Sequence, residues 1–504
     1  MEIFQAMLGV LNPTTLLFIL VGATVGELVG VLPGISSPAA VALLLPVTYG
    51  LAPTDGLAML AGIWYGSSYG GIITSVLLNI PGEGDSVIAT LDGYQMAKRG
   101  KGALALGVSA FGGFFAGTLA LLALQFVGPA VADAAVRFGP KEYFAMMFFG
   151  LAIVSWLSGK SITKGMISCA LGLLIGTVGL DIVSGESRLT FGSNELLDGI
   201  GFVPAVVGLF GLGEILHTVG GKEELGQRAQ FSMRGLLPRG PEWRPSIMSV
   251  TRGTVVGFLA GAIPGVGPTN ATFIDYALEK RISKNPEKFG NGALEGVAGP
   301  GAAGHAGTVA GMVPLLSLGI PASGAAAVLV GGFIIHGLFP GPLLYQQHPE
   351  IVWGLVGSLY VGNVMLVLMN TLLIPVLVWM VEMARPYIAP LIGVLTLIGA
   401  FSLRNNPFDI WLAIGFGILG YVFRVSSIPL APMVIALVLG RKAETGLRQS
   451  LQLSGGDFSI FFTRPMSAVL MTMAIVVLAG PISNAVLRAV RSQREQAREE
   501  AHAE

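Results

Sequence analysis

The sequence contains little charge: of its 504 residues, only 12% are Asp, Glu, Lys or Arg. Soluble globular domains carry about 25% charged residues. Hydrophobic residues make up 53% of the chain, 72 residues are glycine, and the mean hydropathy is +0.74. A soluble fold would leave much of this apolar surface without a core to enter, whereas a membrane protein buries it against lipid and neighbouring helices. The composition therefore predicts an integral membrane protein.

Other scarcities exclude further classes of protein. The single cysteine, Cys169, excludes an intramolecular disulfide. The 29 basic residues equal the 29 acidic ones, so the basic surplus of a nucleic-acid-binding protein is missing. The sequence has no P-loop, no H-E-x-x-H motif and no Cys/His metal cluster. This chain therefore does not encode an ATP-driven pump, and we expect no cofactor beyond a coupling ion, Na⁺ or H⁺.

The apolar segments predict an all-α polytopic membrane protein with roughly 10–14 membrane elements, because a spanning helix needs about 20 apolar residues. Several apolar pieces are shorter than this, at 35–49, 251–263, 308–320 and 325–339. Short pieces that are interrupted by Gly and Pro are typical of half-helices and re-entrant hairpins.

One long polar stretch, residues 222–250, divides the chain. Its basic residues are Lys222, Arg228, Arg234, Arg239 and Arg244, and basic loops favour the cytoplasmic side. We therefore predict a first membrane repeat at 1–221, a cytoplasmic linker at 222–250, a second membrane repeat at 251–488 and a polar C-terminal tail at 489–504.

The two halves contain similar motifs in the same order. VGVLPGISSPAA at 29–40 is similar to AGAIPGVGPTNA at 260–271, and VLLNIPGEGDS at 76–86 is similar to PLLSLGIPASG at 314–324. Pro264 lies 231 positions after Pro33, and Pro321 lies 240 positions after Pro81. The slowly drifting offset indicates duplication. We expect two structurally related halves that form inverted repeats, because that arrangement suits a transporter site. The arginine-rich tail, however, favours a cytoplasmic C-terminus, which inversion around a cytoplasmic linker would not produce.

The Gly/Pro breaks in these motifs predict a substrate cavity. In lipid, broken backbone is tolerated only where it faces protein or a water-filled cavity. Half-helix N-termini attract anions, and freed carbonyls hold Na⁺. The alternative is a set of packed turns whose hydroxyls bond back to the main chain. The predicted substrate-binding residues are Gly34, Ser36, Ser37, Asn79, Gly82, Gly265, Thr269, Asn270, Gly319 and Ser323.

Ionisable residues at membrane depth are functional candidates because their burial costs at least a few kcal/mol. The candidates for binding a coupling cation or for gating are Glu27, Thr74, Glu83, Asp85 and His305. A direct role for Glu83 and Asp85 in holding an anion is disfavoured, since carboxylates repel one another unless a cation intervenes.

These motifs are similar to those of a known family. GVLPGISSPAAVALLLPVTYGL (30–51), IPGEGDSVIATLDGYQMAKRG (80–100) and GLFPGP (337–342) together resemble the large membrane subunit of the tripartite tricarboxylate transporters, the TctA family. The resemblance implies a non-enzymatic permease of the bacterial inner membrane, driven by an ion gradient, that imports a tricarboxylate- or dicarboxylate-type substrate. The implied partners are a small TctB-like membrane subunit and a periplasmic TctC-like solute-binding protein. The internal repeat favours alternating access. Lipid is a further expected partner, and the sequence leaves a homodimer open.

One segment departs from the family pattern. Where the family usually has an acidic residue and a pair of asparagines, this chain has Gly301, Gly304 and His305. If the side chains that the family usually has there contact the substrate or the cation, the ligand or the coupling ion of this chain is expected to differ from that of the family.

Two other function classes stay open at this point. GSSYG at 66–70 matches the G-x-S-x-G nucleophile pattern, which would make Ser68 the nucleophile of an intramembrane hydrolase; the nucleophile elbow, however, needs a strand-to-helix turn. A selective channel is the second alternative. Channels use rings of filter residues from several subunits, whereas the internal repeat favours alternating access.

Overall fold

The structure is a computed structural model of the chain. The residues that it describes are 2–32, 35–157, 161–181, 185–220, 235–236, 240–376, 390, 393–394, 396–401 and 404–479.

Helices make up nearly all of the described secondary structure. The first part of the chain forms α1 Glu2–Gly9, α2 Pro13–Val31, α3 Ser37–Leu44, α4 Pro53–Leu78, α5 Ala89–Lys98, α6 Gly102–Val136, α7 Pro140–Leu157, α8 Ile162–Gly176, α9 Phe202–Val206 and α10 Gly213–Gly220. The second part forms α11 Gly240–Gly261, α12 Gly267–Ile282, α13 Glu295–Ala310, α14 Met312–Leu318, α15 Gly324–Ile335, α16 Leu344–Gln347, α17 Pro349–Leu372, α18 Pro407–Val425, α19 Ala431–Leu453 and α20 Pro465–Ala479. Two short antiparallel strands, β1 Gly179–Leu180 and β2 Ser187–Arg188, form a small hairpin.

Among the described residues, 4 helices are long and apolar enough to cross a membrane, namely α2, α6, α17 and α18. Shorter apolar helices include α8, α15 and α20. The all-α membrane class predicted from the composition is thereby confirmed. The polar stretch predicted at 222–250 lies partly outside the described residues, and its last part, from Gly240, is already the start of α11.

Two helix pairs pack through lines of small residues. Helix α2 lies against α4, and α11 lies against α13. At each contact, a Cβ atom added to the glycine would overlap the backbone of the facing helix; the pairs are Gly22 with Met59, Gly26 with Ile63, Gly30 with Ser67, Gly253 with Gly299, Gly257 with Ala303, and Gly261 with Gly307. Small residues allow membrane helices to approach closely and to gain van der Waals contact.

The same residue offsets relate these two helix pairs. Each α11 glycine follows its α2 counterpart by 231 positions, and each α13 residue follows its α4 counterpart by 240 positions. These are the offsets that separate Pro33 from Pro264 and Pro81 from Pro321. The packing contacts therefore recur with the spacing of the sequence motifs.

The helices that precede two of the breaks also end in the same way. Asn79 after α4 has φ 59°, and Gly319 after α14 has φ 69°. The next amide in each turn reaches back six residues, from Ile80 to the Thr74 carbonyl at 3.4 Å and from Ile320 to the Pro314 carbonyl at 3.1 Å. Both helices therefore end at a residue in the left-handed conformation, which glycine and asparagine adopt at low cost.

Candidate functional site

Four regions of broken helix meet in one ring. In chain order they lie at residues 35–38, 81–86, 264–270 and 319–324. The Glu83 carboxylate interacts with the main chain and hydroxyl of Ser37, which joins the first region to the second. Gly84 packs on Thr269, with an added Cβ only 2.7 Å from the Thr269 hydroxyl, which joins the second to the third.

The ring is closed by two further contacts. The Gly265 amide donates to the Ala322 carbonyl at 3.1 Å, joining the third region to the fourth. Gly324 lies against Pro38, with an added Cβ 3.2 Å from the proline ring, joining the fourth to the first. The breaks are thus neighbours in space although they lie in different parts of the sequence.

This ring surrounds a cavity of about 580 Å³, which we call the ring cavity. Its lining includes the predicted residues Ser36, Ser37, Glu83, Asp85, Gly265, Thr269, Asn270 and Ser323. It also includes Trp64, Ser68, Phe210 and Arg424. The volume lies in the range of about 300–1,000 Å³ that is typical of small-molecule sites.

Three helix N-termini face the ring cavity. Helices α3, α12 and α15 begin at Ser37, Gly267 and Gly324, and the residues around each of these starts line the cavity. Ser323 caps α15, because its hydroxyl accepts a hydrogen bond from the Ala326 amide at 3.2 Å. The free amides of a helix N-terminus and its dipole favour negative charge, so the cavity offers three sets of donors to an anion.

Arg424 is the cationic residue among those lining the ring cavity. It forms an ion pair with Glu214, and the Ser36 hydroxyl reaches the same carboxylate at 3.4 Å. The Arg424 Nε is buried and has no hydrogen-bond partner among the described residues. Arginine suits the planar recognition of carboxylates, and this one retains an unused donor.

The two carboxylates that line the ring cavity have unused acceptor atoms. The Ser68 hydroxyl donates to Asp85 Oδ2 at 2.6 Å and lies 3.4 Å from the Thr308 hydroxyl. Asp85 Oδ1 and Glu83 Oε1 are buried and accept no hydrogen bond within the described part of the chain. Because an unpaired buried carboxylate is costly, these oxygens are suited to a cation or a proton.

The structure does not bring every predicted residue to the ring cavity. Gly82 is packed on the Gly30 carbonyl at the end of α2, so its lack of a side chain serves close backbone packing. Gly319 lies against the Pro340 carbonyl and Lys442 instead. Asn79 ends α4 and, like Gly82 and Gly319, is not a lining residue. Gly34 lies outside the described residues.

The remaining candidates for ion coupling are not among the residues that line the ring cavity. Thr74 is buried and donates to the Gly71 carbonyl at 3.3 Å. Glu27 is fully buried and accepts a hydrogen bond from Asn370. The His305 ring lies 4.0 Å from the Tyr69 ring, and neither of its nitrogens has a hydrogen-bond partner among the described residues.

Gly304, which belongs to the segment that departs from the family pattern, lies next to Asp85 in the wall of the ring cavity. A Cβ added at Gly304 would lie 3.6 Å from the Asp85 carboxylate and 3.1 Å from the Thr272 methyl group. A larger side chain at this position would therefore contact Asp85 directly.

The sequence reasoning missed Arg424, Trp64 and Phe210. The available signal for Arg424 was a lone arginine near the end of the apolar run FGILGYVFRV, residues 416–425. Trp64 and Phe210 gave no signal, because they are apolar residues within apolar helices.

No group of three or more His, Cys, Asp or Glu side chains placed to bind a metal ion occurs in the part of the chain that the structure describes. Ser68 lies inside the uninterrupted helix α4, not on the strand-to-helix turn of a nucleophile elbow. Its hydroxyl bonds to a carboxylate and a threonine rather than to an imidazole.

Comparison with known proteins gives two relatives from Agrobacterium vitis. An uncharacterized 52.8 kDa protein in the TAR-I ttuC' 3' region is 40% identical over 488 residues, which is 96% of each chain. An uncharacterized protein in the TAR-II ttuC' 3' region is 42% identical over 241 residues, or 48% of this chain and 98% of the relative. No solved structure matches significantly. The model of the tripartite tricarboxylate transporter TctA family matches residues 16–435, and the chain therefore belongs to that family, a family of transporter components.

Proposed function

We propose that this chain is the permease subunit of an ion-gradient-driven importer that carries a carboxylate across the bacterial inner membrane by alternating access. The observation that carries the proposal is the closed ring of broken helices around a cavity that contains one arginine and three helix N-termini. Family membership supports a tricarboxylate- or dicarboxylate-type substrate.

In this mechanism the substrate is held by main-chain amides and by arginine. Its carboxylates bind at the starts of α3, α12 and α15 and at the free Nε of Arg424, while Ser36, Thr269 and Ser323 supply further polar atoms. Charge-assisted hydrogen bonds to carboxylates are about twice as strong as neutral ones. The site therefore recognises charge first and the rest of the molecule second.

The coupling ion, Na⁺ or H⁺, neutralises Glu83 and Asp85. With both carboxylates ionised, a bound anion in the same cavity would be repelled. A cation on their unused oxygens removes that repulsion, so substrate and cation each strengthen the binding of the other, as thermodynamic linkage requires. Further candidates for this coupling are Glu27, Thr74 and His305, which do not line the ring cavity.

The two helix pairs support an alternating-access mechanism. We propose that α2–α4 and α11–α13 belong to inverted repeats whose breaks form re-entrant hairpins, and that this core moves against the remaining helices to expose the cavity to either side. A periplasmic solute-binding protein delivers the substrate, and a small membrane subunit, lipid and a second copy of the chain complete the assembly.

The test is uptake of radiolabelled citrate into vesicles that contain the chain with its small membrane subunit and binding protein. We expect uptake to be saturable and to depend on a Na⁺ or proton gradient. Unlabelled citrate on the opposite side of the membrane should accelerate it. Linear uptake without such acceleration would indicate a channel. Absence of uptake with all of a panel of di-, tri- and aromatic carboxylates would overturn the proposal.

A further inference from the structure

A second cavity of about 720 Å³ lies beyond the ring cavity, and we call it the basic cavity. Its apolar wall includes Phe138, Tyr143 and Phe339, and its polar wall includes Arg441 and Lys442. None of its described lining residues is Asp or Glu. It therefore combines positive charge with an apolar surface.

The basic cavity and the ring cavity share the same two helices. On α7, Met147 lines the basic cavity and Val154 lines the ring cavity; on α19, Lys442 and Ile435 do the same. The members of each pair lie seven positions apart in the sequence, which corresponds to about 10 Å along the helix axis. The two cavities thus follow one another along one helix pair.

The turn after α14 separates the two cavities. Leu318 lines the basic cavity, whereas Ala322 and Ser323 line the ring cavity. Between them Ile320 is only 1% exposed. It packs against Gly150 of α7, since a Cβ added at Gly150 would lie 3.4 Å from the Ile320 side chain, and Leu439 of α19 lies 3.8 Å from the same point. The separation is a thin apolar layer attached to one of the broken helices.

Within the described part of the chain, neither Lys442 nor Arg441 forms an ion pair with a carboxylate. Lys442 has no hydrogen-bond or ion-pair partner among the described residues, and its ammonium lies beside Gly319, 3.2 Å from the place of an added Cβ. Arg441 makes two long contacts among the described residues, to the carbonyls of Val178 at 3.4 Å and of Asp198 at 3.5 Å, and it also lines a smaller neighbouring cavity together with Asp181 and Glu444. Lys442 is therefore the cation that is available to an anion, and Arg441 adds positive charge beside it.

We propose that the basic cavity is a second binding site for the transported carboxylate, on the far side of the Ile320 layer from the ring cavity. Lys442 holds its carboxylates beside the positive charge of Arg441, and Phe138 and Tyr143 contact its carbon skeleton. Displacement of the turn that carries Ile320 joins the two sites. This inference rests on the proposed function and adds a second binding site to the same transport pathway.

The single cysteine makes a direct test possible. In the Cys169→Ala background, Thr445→Cys places a thiol in the wall of the basic cavity, and Ser323→Cys places one in the ring cavity. We expect an anionic methanethiosulfonate to react with Thr445→Cys faster than a cationic one of similar size. Lys442→Gln should reduce this preference by about tenfold, and Lys442→Arg should retain it, because the charge determines the local anion concentration.

Citrate is the ligand probe in the same experiment. In phosphatidylcholine vesicles, citrate should slow the labelling of Thr445→Cys, and this protection should be weakened in the Lys442→Gln background. Protection by phosphatidylglycerol alone would make the site a lipid site and overturn the inference. Protection of Ser323→Cys without protection of Thr445→Cys would refute the second site and leave the proposed function standing, whereas no protection at either thiol by any carboxylate of the panel would count against both.

Discussion

The Gly265 amide donates a hydrogen bond of 3.1 Å to the carbonyl oxygen of Ala322. These residues belong to two helix breaks separated in the chain by α12, α13 and α14. In a membrane, a free carbonyl or amide costs several kcal/mol. This bond satisfies one amide of the first of these breaks and one carbonyl of the second. The bond also fixes the starts of α12 and α15 side by side, with both directed at the ring cavity.

Substitution of Gly265 by valine should abolish citrate uptake and destabilise the protein. Gly265 has φ +84°, and an added Cβ would lie 2.9 Å from the main chain of Val154. The conformational strain alone costs about 1–3 kcal/mol. Gly100→Val is the matched control, because Gly100 has φ +74° but nothing within 4 Å of an added Cβ. Thermal unfolding in detergent and uptake in vesicles are the measurements, and equal behaviour of the two variants would contradict the prediction.

A double substitution distinguishes substrate binding by Arg424 from its structural role in the ion pair with Glu214. Arg424→Gln alone breaks the ion pair with Glu214, and breaking a buried pair costs about 3–5 kcal/mol. Adding Glu214→Gln also removes the charge that Arg424 balanced, so the double variant should recover most of the thermal stability. Its citrate uptake should stay lost if Arg424 binds substrate. Recovered uptake would show that the arginine serves only the ion pair, and Arg464→Gln, at an exposed position, is the control.

Asp85→Asn should alter the ion dependence of substrate binding. The asparagine keeps an acceptor for the Ser68 hydroxyl but removes the charge that a coupling cation neutralises. We expect citrate binding to lose most of its dependence on Na⁺ or on pH, whichever ion the wild-type chain uses, and gradient-driven accumulation to fail. Titration calorimetry across Na⁺ concentrations and pH values measures this. Unchanged linkage in Asp85→Asn and in Glu83→Gln would place the coupling ion elsewhere, and the Glu27–Asn370 and His305–Tyr69 contacts are then the next candidates.

The breaks were readable in the sequence because proline and glycine have strong local effects on a helix. Ser36, Thr269 and Ser323 follow such breaks directly, and they lie in the ring cavity. Gly319 belongs to the same motif as Ser323 but packs against Pro340 and Lys442 instead of the ring cavity. No local pattern gives that difference.

The sequence likewise could not reveal contacts between distant helices. Arg424 pairs with Glu214 on a helix 210 positions earlier, and each residue alone looks like an isolated charge in an apolar run. The glycine lines at 22, 26 and 30 and at 253, 257 and 261 are regular enough to be seen, but their partners on α4 and α13 appear only in the fold.

Ser68→Ala distinguishes transport from hydrolysis. Loss of the Ser68 hydroxyl removes one hydrogen bond to the Asp85 carboxylate, with an effect of about 1.5–3 kcal/mol on the site. We therefore expect citrate uptake to fall by about tenfold to a hundredfold without being abolished, with no esterase activity in either protein. Loss of a measurable esterase activity with intact uptake would favour the hydrolase alternative.

The two helix pairs should respond alike to larger side chains. An added Cβ would lie 2.8 Å from the Ile63 Cα at Gly26 and 2.7 Å from the Ala303 Cα at Gly257, so alanine forces both pairs apart. Overpacking of this kind typically costs about 1–3 kcal/mol, and we expect similar decreases in unfolding temperature for Gly26→Ala and Gly257→Ala. Gly415→Ala on α18 is the control, since nothing lies within 4 Å of its added Cβ and alanine favours a helix over glycine by about 1 kcal/mol. If the two pairs form equivalent parts of a moving core, both variants should also impair citrate exchange to a similar degree; a large loss in one with none in the other would argue against equivalent roles in transport.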